Sequence, residues 1–133
     1  MWDDAAGYES YVGRWSRVVA PRFVEWLSAG HGLRWLDVGC GTGALMEAAS
    51  TARPSFLVGV DASAAYLGYA RRRLAGVPAS LQIAKAESLP LAGRAFDLAV
   101  SGLALNFMPA AAALDEQTRV TVPGGLVAGY VWD

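Results

Sequence analysis

The stretch LRWLDVGCGTGAL, residues 33–45, decides how this chain is read. It passes from an apolar run into an acid, Asp37, and then into glycines at 39, 41 and 43. Leu33 to Val38 predicts a short buried strand and Ala44 to Ser50 a helix, so the glycines make a strand-to-helix turn. Glycines there let the backbone turn tightly and approach a ligand with no β-carbon in the way. The helix that follows presents free N–H groups to that ligand. Such a turn can cradle a dinucleotide or hold another adenosine-bearing cofactor. Gly39 to Ala44 satisfies the loose dinucleotide pattern G-x-G-x-x-G/A, which alone is also compatible with a turn that binds nothing.

Working outward, Asp4 to Ser16 predicts a short helix. Val19, Phe23 and Leu27 form the stripe of a second helix with Pro21 in its first turn, ended by Gly30-His31-Gly32. Further strands are expected at Phe56–Val60, Leu81–Ala84, Phe96–Ser101 and Leu126–Trp132. Ser63 is an N-cap for a helix carrying Leu67, Ala70 and Leu74, and Pro109 to Arg119 is another helix. Pro123-Gly124-Gly125 reads as a turn. Strands alternating with helices throughout imply an α/β fold, a mostly parallel sheet with helices on both faces. Ligands of such sheets bind at the carboxyl ends of the strands. The glycine turn, Asp61, Lys85-Ala86-Glu87 and Ser101-Gly102 all follow strands and would converge there.

Asp61, ending the second strand, is placed to accept hydrogen bonds from both ribose hydroxyls of an adenosine. Asp37 then separates the cofactors. A carboxylate just before the turn disfavours a pyrophosphate and suits a cationic amino-acid end, such as the ammonium and sulfonium of S-adenosylmethionine. Its structural role would be to tie down the turn through backbone N–H bonds.

Composition narrows the classes. A chain of 133 residues fits one domain, here 1–32 as an N-terminal helical segment and 33–133 as the cofactor-binding core. It is 54% hydrophobic and 17% charged, a globular balance. A net charge of −1 argues against general nucleic-acid binding. The basic run Arg71-Arg72-Arg73 reads as a solvated helix face. Cys40 is the single cysteine, so no intrachain disulfide forms. Leu98 to Leu114 is uncharged but interrupted by Ser101, Gly102, Asn106 and Pro109, and falls short of the 18 or so apolar residues of a span. The acidic start lacks the features of a secretory signal, so the expected location is cytoplasmic, with no membrane contact. No Cys/His/acid cluster has metal-ligand spacing, and no metal is expected.

Five ordered segments carry a family resemblance over residues 8–133: LDVGCGTG, VGVDAS, AESLPL, FDLAVSGLALNFMP and LDEQTRVTVPGGLVAGYVWD. Together they resemble the class I S-adenosylmethionine-dependent methyltransferases, a Rossmann-like fold, and within them the small-molecule enzymes related to ubiquinone and menaquinone C-methyltransferases. The resemblance implies S-adenosylmethionine as cofactor, S-adenosylhomocysteine as product and a small-molecule methyl acceptor. It implies that Gly39, Cys40 and Gly41 meet the methionine part, with Asp37 just before them. Asp61 would hold the ribose and Ala62 lie against the adenine. Ala86 and Glu87 would border the adenine edge, and Ser101 and Gly102 would lie near the transferred methyl. Arg14, with Tyr11, would close over the cofactor and face its carboxylate.

Two departures stand out. Lys85 occupies the place of the acid that commonly accepts from the adenine amino group, and a lysine cannot accept. Relatives usually continue past the fifth strand with a helix and a hairpin, whereas this sequence ends at Asp133. The last strand would then be an apolar edge, open to pairing with a second copy in a homodimer. The alternative to an active methyltransferase is accordingly a module or fragment that binds the cofactor without catalysis. Methyl transfer from a sulfonium mainly requires proximity and alignment. No catalytic residue stands out: His31 reads as part of a helix-ending loop, and Cys40 as a small turn residue. Tyr8, Tyr11, Asn106, Trp132 and Asp133 could line an acceptor site, although packing or surface is the favoured reading of each.

Overall fold

The apolar runs become strands of one sheet in a computed structural model that describes Gly7 and residues 13–131. The strands are β1 (Arg34–Val38), β2 (Phe56–Asp61), β3 (Ser80–Ile83), β4 (Phe96–Gly102) and β5 (Thr121–Tyr130). They lie in the order β3-β2-β1-β4-β5 and every pairing is parallel. The helices are α1 (Arg14–Leu27), α2 (Ala44–Ala49), α3 (Ala64–Arg73) and α4 (Ala110–Val120). This is a Rossmann-like α/β sheet. Its winding reverses between β1 and β4, which puts the glycine turn at the switch point.

The central strands are buried on both faces. Trp35, Leu98 and Val100 pack with Phe23 of α1, Met46 of α2 and Leu67 of α3. Leu36, Val38, Val58 and Phe96 pack on the other face with Ala113 and Val120 of α4. Fully burying side chains of this size contributes about 1.5–3 kcal/mol each. Central parallel strands therefore read as continuous apolar runs rather than alternating ones. At the far end of the sheet, Asp97 accepts from the Arg34 backbone N–H (2.7 Å) and from its guanidinium (3.1 Å).

Several boundaries differ from the sequence reading. Pro21 lies inside α1, not in its first turn. The helix continues because Ser16, Ala20, Phe23 and Val24 bury one stripe, and Phe23 packs edge-on against Tyr130 of β5 at 4.9 Å. It stops at Leu27, with Ser28 left-handed, before Gly30-His31-Gly32. The expected helix Asp4–Ser16 lies mostly outside the described residues, its last part belonging to α1. β3 begins one residue earlier than expected, at Ser80. No helix joins β3 to β4, so the alternation is not complete; residues 84–95 form an irregular link. The basic run is not all solvated: Arg73 folds back, its Nε 3.7 Å from Glu47 and its Nη1 3.5 Å from the Thr42 carbonyl.

The fifth strand begins at Thr121, not Leu126, and Pro123-Gly124-Gly125 interrupts it from within. Phe96 pairs with Thr121, yet Leu98 pairs with Leu126, so the intervening residues of β5 bulge outward. A β-carbon at 125 would lie 2.6 Å from the Asp97 carbonyl oxygen and 2.9 Å from that of Val122. Backbone atoms cannot step aside as a flexible side chain can. Gly125→Ala is therefore expected to destabilise the fold by about 1–3 kcal/mol, as overpacking does. A thermal melt lowered by several degrees is the expected result, and an unchanged midpoint would contradict this account of the bulge.

Candidate cofactor site

At the carboxyl ends of β1 and β2 a cleft of about 330 Å³ opens. Its floor is the glycine turn. Gly39, Gly41 and Gly43 have φ of +71°, +55° and +92°, a region that side chains with a β-carbon disfavour. Gly39 and Cys40 both donate to the Val60 carbonyl, at 2.8 and 2.9 Å, which ties the turn to β2. A β-carbon on Gly39 would sit 2.7 Å from the Ala104 Cβ, so the loop after β4 presses directly on the turn.

Asp61 is the hinge of the cleft. Its Oδ2 accepts from the Gly41 N–H at 2.9 Å and its Oδ1 from the Ser63 N–H at 2.8 Å. Ser63 in turn caps α3, accepting from the Tyr66 N–H at 3.2 Å. Each Asp61 oxygen keeps a lone pair for a further donor. Burial raises the Asp61 pKa, and the N–H bonds from Ser63, Gly41 and Ala62 work against that rise.

Asp37 is 2% exposed, and neither of its oxygens has a hydrogen-bond partner among the described residues. It does not tie down the turn, as the sequence reading allowed; the Val60 carbonyl and Asp61 do that. Burial pushes its carboxyl well above the ordinary carboxylate range, and the nearby Asp61 charge adds to the shift. Burial, then Asp37 and Asp61, likewise raise the Cys40 thiol.

Gly39, Gly41, Asp61, Ala62, Ala86 and Glu87 line the cleft, as does Lys85. Asp37, Cys40, Ser101, Gly102 and Arg14 do not. Asp37 and Cys40 are buried. Ser101 is buried, its Oγ without a partner among the described residues, and Gly102 is covered by Tyr130, whose hydroxyl oxygen would lie 2.6 Å from a β-carbon there. Arg14 is exposed at the start of α1, and Asn106, also exposed, is outside the lining. Tyr8, Tyr11, Trp132 and Asp133 lie outside the described residues. His31 precedes β1, at the opposite end of the strands from the cleft. Among the described residues no group of three or more His, Cys, Asp or Glu could hold a metal, and no helix is long and apolar enough to cross a membrane.

Sequence reasoning missed one wall: Leu103, Ala104, Phe107, Met108 and Pro109, with Tyr66 of α3 opposite. The signal was present in the uncharged run 98–114. Leu103 takes φ +55° while buried, and its N–H donates to the Tyr130 carbonyl at 2.7 Å. That bond holds a conformation that is uncommon away from glycine.

A family model described as a methyltransferase domain matches residues 36–125. A demethylmenaquinone methyltransferase of Symbiobacterium thermophilum is 39% identical over 97 residues, 68% of this chain and 39% of that protein. A malonyl-[acyl-carrier protein] O-methyltransferase of Pectobacterium atrosepticum is 34% identical over 125 residues, covering 93% and 48%. The crystal structure of an S-adenosylmethionine-dependent methyltransferase from Mesorhizobium loti superposes with a TM-score of 0.70 at 31% identity, covering 85% of this chain and 52% of that one. The chain thus spans less than half the length of these two curated relatives.

The buried Asp37 makes a prediction for the protein without ligand. Its pKa is raised in the folded state, so the native chain holds this proton to higher pH than the unfolded chain does. Stability from this group is therefore lost as pH rises from the ordinary aspartate range towards the folded value. Asp37→Asn cannot ionise and escapes that loss. Urea unfolding at pH 5 and pH 8 should show the variant gaining on the parent as pH rises. A difference independent of pH would contradict the assignment.

Proposed function

The chain belongs to the family of methyltransferase domains, and from that premise we propose that it binds S-adenosylmethionine and directs its methyl group to a small-molecule acceptor. The observation that carries this reading is the pair of carboxylates at one end of the sheet. Asp61 lines the cleft, and Asp37, near the end of β1 before the glycines, is buried with no hydrogen-bond partner among the described residues. A pyrophosphate would add negative charge to a site that already has two acids, whereas a cationic cofactor relieves it. The residues present fit such a group. Asp61 accepts from the ribose hydroxyls with its remaining lone pairs, and the backbone of Gly39 to Gly41 receives the methionine part. Ala62 lies against the base, and Ala86 and Glu87 border its edge beside Lys85.

Bound S-adenosylmethionine supplies a methyl group already activated on sulfur. The protein's task is then to hold the acceptor in line and to exclude water. The wall of Leu103, Phe107 and Met108 favours an apolar acceptor surface. The whole chain acts as one domain in this reading, since α1 shares a core with the sheet. A cytoplasmic setting accords with the buried free thiol of Cys40.

A second copy of the chain belongs to the same proposal. Among the described residues no strand pairs with the outer edge of β5, and Leu126 on it and Val131 just after it are exposed. Light scattering should find a dimer that Leu126→Lys dissociates; a monomer at all concentrations would remove the homodimer from the proposal.

The direct test of the pocket is Asp61→Ala. Losing its ribose contacts should weaken S-adenosylmethionine binding by about tenfold or more, as loss of hydrogen bonds to a charged group does, with the circular dichroism spectrum kept. Unchanged affinity in calorimetry would overturn the ribose assignment.

A further inference from the structure

We infer that Glu116 and Arg119 of α4, neither of which lines the cleft, are positioning residues that fix the wall of Lys85, Ala86 and Glu87 and so set recognition of the purine end of the cofactor. The inference rests on the cofactor reading above.

That wall belongs to the irregular link between β3 and β4. A link without a helix has few hydrogen bonds of its own, and such segments open most easily. Here the wall segment within the link is held on both sides. At its start the Ala84 N–H donates to the Asp61 carbonyl at 3.1 Å. At its end a side-chain pair grips the backbone. Glu116 Oε1 accepts from the Leu89 N–H at 2.8 Å. Arg119 Nη2 donates to the Leu89 carbonyl and Nη1 to the Leu91 carbonyl, both at 3.0 Å. The two side chains lock each other, with Arg119 Nε donating to Glu116 Oε2 at 2.6 Å and Nη2 to Oε1 at 3.1 Å. Between the two clamps lies only 85–88, the segment that forms the wall.

The polarity of the grip is specific. Residue 116 must accept, because it faces an N–H; residue 119 must donate, because it faces two carbonyls. The planar fork of arginine can reach two carbonyls and a carboxylate at once, which a lysine cannot. The hydrogen bonds between the two side chains favour the ionised form of each, lowering the Glu116 pKa, with help from the Leu89 N–H, and raising that of Arg119.

The same helix reaches another part of the lining. Pro109, which precedes its first residue, and Met108 line the same cleft as Ala86. Ala113 and Val120 seat the helix on the sheet. One rigid element therefore joins both parts of the lining, and the Glu116–Arg119 pair sets their spacing. An exposed ion pair three residues apart on a helix would by itself have little effect. The backbone groups it holds give this one its consequence.

The test separates an ion pair from a loop clamp. The double variant Glu116→Arg/Arg119→Glu keeps the pair but presents a donor to the Leu89 N–H and an acceptor to the carbonyls. Calorimetry would compare S-adenosylhomocysteine with S-inosylhomocysteine, which differs only at the purine edge. In the swap, affinity for S-adenosylhomocysteine should fall about tenfold and the preference over the inosine analogue should shrink with it. Arg119→Lys should show a smaller loss of the same kind, and it carries the test if the swap does not fold. Wild-type affinity and preference in either folded variant would overturn the inference. So would an equal loss for both ligands, which marks general damage. If the unmodified chain binds neither compound, the cofactor reading fails rather than the clamp.

Discussion

The bond from the Gly41 N–H to Asp61 is the contact on which the site depends. It joins the turn after β1 to the end of β2. The other oxygen of the same carboxylate orders Ser63, which caps α3. The carbonyl of the same residue receives the Ala84 N–H and so orients the segment after β3. One residue thus fixes the ends of three neighbouring strands relative to each other. Glycine in the left-handed region is what allows Gly41 to offer its N–H to that carboxylate.

The arrangement carries an electrostatic conflict. Burial, and then the Asp61 charge, opposes ionisation of Asp37, which has no hydrogen-bond partner among the described residues. A chain selected for stability alone would place a small apolar residue at 37. Conflicts of this kind cluster where a protein binds something that resolves them. The paired acids and the methyltransferase relationship therefore point to the same occupant from independent directions.

Much of this was legible from the residues. The apolar runs gave strands because parallel strands buried on both faces need no alternation. The glycine turn, Asp61 and the Ser63 cap are local chemistry, and each lies where its sequence neighbours place it. What stayed hidden depends on distant partners. Pro21 is carried inside α1 because Phe23, two residues on, packs against Tyr130 of β5. The Pro-Gly-Gly segment is a bulge, not a strand boundary, because Asp97 of a neighbouring strand crowds Gly125. Arg73 looked solvated until Glu47 and Thr42 came to meet it. The wall from Leu103 to Pro109 has no motif of its own. It lines the cleft only because β4 returns beside β1 and the loop lands on Gly39.

The central claim is that two acids and a glycine turn select a cationic adenosine cofactor over a dinucleotide. Titration calorimetry of the unmodified chain with S-adenosylmethionine, S-adenosylhomocysteine and NAD tests it most directly. The account predicts saturable binding of both sulfur compounds and none of NAD. Binding of NAD without either sulfur compound would contradict it.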